Sequence, residues 1–304
     1  MKKWNLVVKV ERCHNCQNCV IAARDEHVGN AFPGYAAPAT VDTESPIRIL
    51  RRVHGQAPMV EAAYLPVMCN HCDAAPCIKA GGDAVRKRAD GIVIIDPDKA
   101  RGRRDIVDAC PYRAIIWNDK QQVPQTWIFD AHLLDEGWAY PRCQQACPTD
   151  VFEAVKLDDA EMADKARREG LRVLQPDLGT MPRVWYSGLE RWEDCFIGGS
   201  VSARSGDAID CIAGAVAELF LADRKLAETL SDCFGDFRFG GLPRHSGPYR
   251  VEVRHPLGCA TRECELDDSV YFGEIGLTSH GAGAVAARPA TVSDASGSSH
   301  GSTV

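Results

Sequence analysis

Cysteine spacing constrains this chain more than any other feature of its sequence. Two tight triplets are accompanied by two cysteines that each precede a proline: Cys13, Cys16 and Cys19; Cys69, Cys72 and Cys77; and Cys110 and Cys147. In the bacterial run C-x2-C-x2-C-x3-C-P, the first three thiolates bind one iron-sulfur cluster and the fourth binds another. Triplets and Cys-Pro singles are therefore complementary halves of four-thiolate sites.

The third motif has kept its spacing and lost its triplet. Counting back from Cys110 by the same rule reaches Ala100, Arg103 and Ile106, and the second triplet continues to Gly81 where its fourth cysteine should stand. A cluster built from these positions would have no sulfur ligand. We call positions 100, 103, 106 and 81 the third-motif site and predict that it holds no cluster.

Two complete sites remain when the triplet of one motif is combined with the Cys-Pro cysteine of another. The first triplet continues to Ala23, so its own fourth ligand is lost, and Cys143 stands before Cys147 without a full triplet. The two complete sets are Cys13, Cys16, Cys19 and Cys147, called the first quartet, and Cys69, Cys72, Cys77 and Cys110, called the second quartet. The pattern predicts a four-cluster framework that carries two [4Fe-4S] clusters.

Zinc and disulfides are the alternatives to clusters. Structural zinc sites are usually built from two separate cysteine pairs, and three cysteines in one short loop close poorly around a single ion. The chain opens with Met1-Lys2-Lys3 and has no apolar signal core and no twin arginine, which predicts a cytoplasmic location. Thiols stay reduced there, and clustered cysteines indicate metal or redox chemistry.

Composition excludes several classes of function. The 304 residues are 45% hydrophobic and 25% charged, which is ordinary for a two-domain soluble protein. No apolar run is long enough for a transmembrane helix, so we expect no direct membrane insertion. The net charge of −7 gives no reason to expect nucleic acid as a partner. The basic stretches 86–88 and 101–104 are interpreted as solvated surface or subunit contact.

The predicted fold class is α+β, with a change of pattern near residue 195. Residues 1–194 alternate short β runs, such as 91–95 and 114–117, with cysteine loops and short helices. The clearest helix spans 159–169, with Asp158 as its N-cap and Gly170 after its end.

The C-terminal part is predicted to form a separate β domain. In residues 195–277, the runs 216–220, 234–239 and 249–253 predict a small antiparallel β-sandwich of about eighty residues. Residues 278–304, rich in Gly, Ala and Ser, are predicted to form a disordered tail.

The remaining cysteines and two histidines have no predicted cluster role. Five cysteines lack cluster spacing and are interpreted as buried or incidental thiols: Cys195, Cys211, Cys233, Cys259 and Cys264. His14 and His71 lie inside the cluster loops, where we expect them to shape the loops because thiolates already fill each site.

With its cysteine pattern in place, the chain resembles the iron-sulfur subunits of the dimethyl-sulfoxide-reductase family of molybdopterin enzymes. It is most similar to one branch, the small subunits of pyrogallol-phloroglucinol transhydroxylase and resorcinol hydroxylase. The stretches that carry this resemblance run through nearly the whole chain: DEH at 25–27, FPGY at 32–35, DGIVIIDPDK at 90–99, CPY at 110–112, AHLLDEGW at 131–138 and PDLGTMPRVWY at 176–186.

The resemblance implies a duplicated ferredoxin-like 4Fe-4S domain followed by a carboxypeptidase-regulatory or transthyretin-like sandwich. It also implies that the branch has a third cluster at the positions of Ala23, Trp127 and Asp130, with Cys143 as the one ligand retained here. We call positions 23, 127, 130 and 143 the fourth-motif site. Its cluster should be absent from this chain.

The function implied is that of a non-catalytic electron-transfer subunit. The chain has no paired nucleophile and base, no P-loop and no dinucleotide fingerprint. The resemblance places the active site and the molybdopterin on a large partner subunit that hydroxylates or transhydroxylates phenolic aromatics, with none of that cofactor on this chain and a soluble electron acceptor as a further partner. Two alternatives stay open: an electron-transfer subunit of another molybdopterin reductase, and a scaffold whose clusters are structural.

Overall fold

The computed structural model describes residues 1–278. Two compact units divide the chain: the first contains residues 1–196, 240–245 and 267–270, and the second contains 197–239, 246–266 and residues from 271 onward. Of the tail predicted to be disordered, Thr278 pairs with Cys259, and residues 279–304 lie outside the described part.

The helices of the first unit are short, because most of them only span the distance between cysteine loops. They are α1 (Asn18–His27), α2 (Pro76–Gly81), α3 (Asp105–Asp108), α4 (Ala131–Asp135), α5 (Arg142–Ala146), α6 (Asp159–Glu169) and α7 (Glu190–Glu193). The predicted α6 is confirmed with both of its ends. Asp158 and Glu161 form a capping box, and Gly170 adopts the left-handed conformation at the C-cap.

The strands of the first unit form one three-stranded sheet and three hairpins. They are β1 (Lys3–Lys9), β2 (Arg48–Gln56), β3 (Met59–Val67), β4 (Val85–Lys87), β5 (Val93–Ile95), β6 (Ile115–Asn118), β7 (Val123–Thr126), β8 (Phe152–Leu157) and β9 (Val184–Ser187). The sheet order is β8-β1-β9, with β1 antiparallel to β8 and parallel to β9. The hairpins are β2-β3, β4-β5 and β6-β7.

Two buried clusters hold the first unit together around the cysteine loops. The larger contains Leu6 and Val8 of β1 and also Cys13 and Cys19. The smaller contains Cys77 with Val85, Ile95 and other apolar residues of β4, β5 and α3. The cysteines therefore belong to the cores of the unit.

Within residues 1–278, two four-stranded sheets make up most of the second unit. Its strands are β10 (Cys195–Ser205), β11 (Ala208–Cys211), β12 (Val216–Leu221), β13 (Arg224–Leu230), β14 (Asp236–Leu242), β15 (Ser246–His255), β16 (Gly258–Leu266) and β17 (Val270–Gly276). One sheet has the order β11-β10-β14 with β17 also on β10, and the other has the order β13-β12-β15-β16. Burial alternates along β15, where Tyr249, Val251 and Val253 are buried, as expected for a sheet with one covered face.

The predicted strands are present, and three begin later than expected. β5 starts at Val93 and not at Gly91, and β6 starts at Ile115 and not at Ala114. β14 starts at Asp236, two residues after the predicted start at Phe234, because a turn precedes it. The carboxylate of Asp232 accepts hydrogen bonds from the backbone N–H groups of Phe234 and Asp236, and Gly235 has φ +82°. Such side-chain bonds favour a turn over an extended strand.

No helix in residues 1–278 has the length and apolar character needed to span a membrane.

Candidate metal centre

The first quartet lies where two short helices meet. Cys13 follows a 3-10 turn at 10–12, Cys19 lies in the first turn of α1, and Cys147 ends α5, which packs against α1. The structure places Cys13, Cys16, Cys19 and Cys147 near enough to interact electrostatically. Cys16 is exposed, so this quartet reaches the surface of the first unit.

Two thiols of the first quartet, Cys13 and Cys19, hold their protons tightly in the protein alone. Burial raises the pKa of Cys19 to about 12, and repulsion from Cys13, Cys147 and Cys16 contributes. Burial likewise raises the pKa of Cys13. Thiolates that repel one another need a shared cation, and metal binding supplies one as it releases the thiol protons.

The second quartet surrounds a cavity. Cys69 follows β3, Cys77 lies in α2, Cys110 follows α3, and these two helices are in contact. Together with Cys72 they line one pocket, whose other walls include Val93, Ile95 and Ile115. The donor set is four thiols in apolar surroundings, which fits an iron-sulfur cluster.

Burial also dominates the acidity of the second quartet. It raises the pKa of Cys77 to about 11, followed by repulsion from Cys110 and Cys72. Burial raises the pKa of Cys69 above its usual range. The cavity therefore favours neutral thiols until a cation neutralises the thiolates.

A repeated backbone conformation appears in all four motifs. The first positions of the four motifs are Cys13, Cys69, Ala100 and Trp127. The residue two positions after each of them has a positive φ: Asn15 (+59°), His71 (+45°), Gly102 (+78°) and Phe129 (+58°). Such a conformation is uncommon outside glycine and persists where the surroundings impose it. The third and fourth motifs thus keep this turn conformation although their cysteines are gone.

The two Cys-Pro motifs share a second repeated geometry. Three residues after each cysteine, Arg113 and Asp150 have φ values of +50° and +53°. Four residues after each cysteine, a backbone N–H donates to the sulfur at 3.4 Å, from Ala114 to Cys110 and from Val151 to Cys147. Hydrogen bonds of this kind stabilise a thiolate ligand.

The third-motif site is filled by apolar side chains. Ala100 and Ile106 are fully buried, and a Cβ atom at Gly81 would lie 2.2 Å from Cγ2 of Val85. A cysteine at position 81 would therefore collide with β4. The side chains of Val85 and Ile106 occupy the space around it.

The fourth-motif site is buried as well. Trp127, Cys143 and Ala23 have exposures of 0%, 1% and 3% and belong to the larger core. Asp130 accepts a hydrogen bond of 2.8 Å from the backbone N–H of Arg142 through Oδ2, and its Oδ1 has no partner. Burial raises the pKa of Asp130 to about 6.

Lys87 is a functional residue that the sequence interpretation missed. Its Nζ donates to the carbonyl oxygens of His71, Cys72 and Gly91 at 2.8, 2.9 and 3.0 Å, and lies 2.8 Å from Oδ1 of Asp73. The ammonium thus fixes the loop that carries the second quartet. The expectation that 86–88 is solvated surface is wrong for this residue, because two of its three backbone partners, the carbonyls of His71 and Cys72, come from a loop more than ten residues away.

Arg88 is also less exposed than expected for a stretch of solvated surface, whereas Arg86 is exposed. The Arg88 guanidinium donates to Asp90 and to both carboxylate oxygens of Asp135. It is therefore part of an ion-pair network within the first unit.

The histidines of the cluster loops differ in their surroundings. His71 is buried, and its Nδ1 accepts a 3.1 Å hydrogen bond from the backbone N–H of Val93. Its ring contacts Trp127 and Phe129. His71 thus supports the loop, while His14 is exposed. Of the cysteines outside the quartets, Cys211 and Cys233 are exposed and Cys195 is buried.

The family model and the relatives that match this chain point to the same protein family. The 4Fe-4S dicluster domain family matches residues 60–157. The pyrogallol hydroxytransferase small subunit of Pelobacter acidigallici is 38% identical over 281 residues, which are 91% of this chain and 100% of that protein. A tetrathionate reductase subunit of Salmonella typhimurium is 30% identical, over 64% of this chain and 75% of that protein. A putative dimethyl sulfoxide reductase iron-sulfur subunit of Halobacterium salinarum is 29% identical, over 61% of this chain and 79% of that protein.

The family model covers the second quartet and Cys147, and the first relative matches 91% of the chain. The chain therefore belongs to the iron-sulfur subunits of the dimethyl-sulfoxide-reductase family of molybdopterin oxidoreductases, in the branch of the pyrogallol hydroxytransferase small subunit.

Proposed function

We propose that this chain is an electron-transfer small subunit that binds two [4Fe-4S] clusters, one on each cysteine quartet. The observation that carries the proposal is the contrast between the four motif sites. Two bring four thiols together, one of them around a single pocket lined by all four of its cysteines. The third-motif site is filled by Val85 and Ile106, and the fourth-motif site retains one buried cysteine.

The residues of this chain would control the properties of each cluster. A [4Fe-4S] cluster carries one electron at a time, at a potential set by charge, burial and hydrogen bonds to its sulfurs. The N–H groups of Ala114 and Val151 each donate one such bond. Lys87 adds a positive charge beside the second quartet. The exposed Cys16 provides a surface at which electrons could be exchanged with a partner.

The partner would be a large molybdopterin subunit that acts on phenolic aromatics through hydroxylation or transhydroxylation. The relative with matching full length is the small subunit of a pyrogallol hydroxytransferase, which supports this choice over other molybdopterin reductases. Molybdopterin would be bound by the large subunit and not by this chain. A cytoplasmic heterodimer with a soluble electron acceptor completes the proposal.

The fold proposed for this function is a duplicated ferredoxin-like domain followed by a transthyretin-like β-sandwich. The repeated positive φ at Asn15, His71, Gly102 and Phe129 supports the duplication. Two four-stranded sheets with alternating burial in the second unit support the sandwich. We propose domain limits of 1–194 and 195–277.

Electron paramagnetic resonance of the anaerobically purified complex tests the relay. Phenolic substrate is added, samples are frozen during turnover, and the cluster signals are compared with those of a sample without substrate. A relay predicts that the signals change with substrate and recover when an electron acceptor is added. Clusters that keep one redox state throughout net hydroxylation would contradict the relay and favour a structural scaffold.

A further inference from the structure

A second group of metal-ligating side chains lies in the first unit, apart from the cysteine quartets. His54 of β2, Cys195 at the start of β10 and Asp268 before β17 place their donor atoms within 4.8 Å of one another. Nδ1 of His54 and Sγ of Cys195 are each 3.8 Å from Oδ1 of Asp268. Three distant segments of the chain thus converge on one point.

His54 is buried without satisfying its polar atoms. Its side chain is 3% exposed, and neither imidazole nitrogen makes a hydrogen bond within normal geometry. An unsatisfied buried polar group costs about 1–3 kcal/mol, so each case in a native protein needs an explanation, of which a bound ion is one.

The spacing of the three donors suits a small tetrahedral ion. Zinc bonds of about 2.0–2.3 Å to nitrogen, oxygen and sulfur imply donor separations of about 3.4–3.6 Å around a tetrahedron. The two distances of 3.8 Å therefore need to shorten by a few tenths of an ångström. The third separation, between the imidazole of His54 and Sγ of Cys195, is at most 4.8 Å.

Two arginines already contact this group, and their geometry allows a metal beside them. Arg52 approaches Cys195 at 3.6 Å and Oδ1 of Asp268 at 3.3 Å, while its other terminal nitrogen donates to the backbone carbonyls of Trp192 and Glu193. Arg244 donates to the second carboxylate oxygen of Asp268 at 3.0 Å. With the thiol proton released, the ion and the Cys195 thiolate add one net positive charge, and both arginines keep an anionic partner.

We propose that His54, Cys195 and Asp268 form a zinc site that joins β2, the start of β10 and the segment before β17. One nitrogen, one sulfur and one oxygen donor are typical ligands for Zn²⁺, and three protein ligands leave a fourth position for water. Asp268, with a side chain 46% exposed, opens the site to solvent. Arg52 and Arg244 orient the carboxylate and the thiolate from outside the ligand set.

Metal analysis of the anaerobic complex tests the proposal. We expect about one zinc per copy of this chain after dialysis against zinc and then buffer, lost in Cys195→Ser and Asp268→Asn while the iron content is unchanged. Cys264→Ser, a partly buried thiol in the second unit, is the matched control and should keep the zinc. Zinc X-ray absorption should show one sulfur among lighter ligands.

Thermal unfolding provides a readout that does not depend on catalysis. Removing zinc should lower the Tm of the wild-type chain in the complex, and the Asp268→Asn variant should no longer respond to zinc. Absence of bound zinc after dialysis would overturn the proposal. So would zinc with only sulfur ligands that survives in both variants, because that metal would lie in a cysteine quartet.

Discussion

Replacing Lys87 by methionine should selectively weaken the loop of the second quartet. Methionine keeps much of the aliphatic volume and removes the ammonium, whose hydrogen bonds to His71, Cys72 and Gly91 are 2.8–3.0 Å long. The side chain is 20% exposed, so water can replace few of these bonds. The carbonyl oxygens beside Cys72 would lose their donor inside a mostly buried loop.

The magnitude follows from the partners that are lost. A hydrogen bond to a charged group contributes about 1.5–3 kcal/mol, and three bonds to one ammonium are not additive. Asp73 keeps Arg183 and Lys3 as partners, so its charge stays compensated. No uncompensated charge is left behind, so we expect Lys87→Met to destabilise the first unit by about 1.5–3 kcal/mol, the contribution of the hydrogen bonds to the ammonium.

The assay is the urea midpoint at which cluster absorbance bleaches, measured on the anaerobic complex together with iron content. With a typical urea dependence of about 2 kcal/mol per M, the midpoint should fall by about 0.8–1.5 M. Arg86→Met, an exposed neighbour with one bond to the carbonyl of Gly34, is the control and should shift it little. A Lys87→Met midpoint equal to that of the control, with full iron content, would refute the reasoning.

Three further substitutions test separate parts of the structure. Gly81→Cys should not create a cluster site and should destabilise the fold by about 1–3 kcal/mol, because its Cβ would collide with Val85; added iron in that variant would contradict the packing. Asp130→Asn should stabilise the chain at pH 8 by at most about 3 kcal/mol, since the ionised carboxylate is disfavoured by burial and its pKa is raised to about 6. That gain should shrink as the pH falls through 6 towards 4, where Asp130 becomes protonated in the fold; a gain independent of pH would exclude this explanation. Asp158→Ala should lower the free energy of unfolding by about 1 kcal/mol through loss of the α6 capping box, and Asp164→Ala, on the exposed face of the same helix, is its control in a thermal melt.

Short-range signals in the sequence predicted much of this structure. The capping box of α6 lies within a few residues, so Asp158 and Gly170 could be assigned from the sequence alone. The spacing of the cysteines also predicted which thiols would meet, because each motif combines a local triplet with one remote cysteine.

Long-range packing explains what the sequence did not predict. The burial of Lys87 depends on carbonyl groups of a distant loop, and its neighbours in sequence are charged residues that suggest solvent. The sequence showed that position 81 has a glycine where the motif requires a cysteine. It did not show that the side chain of Val85 fills the space beside Gly81. His54, Cys195 and Asp268 come from three segments whose proximity no local pattern records.

Iron analysis combined with cysteine substitution tests the two-cluster assignment most directly. The anaerobic complex, after subtraction of the iron of the large subunit, should contain about eight iron and eight acid-labile sulfide per copy of this chain. Cys110→Ser should lower this to about four by emptying the second quartet, whereas Cys143→Ser should leave it at about eight. About twelve iron per chain, with a loss in Cys143→Ser, would contradict the assignment, as would zinc in place of iron in either quartet.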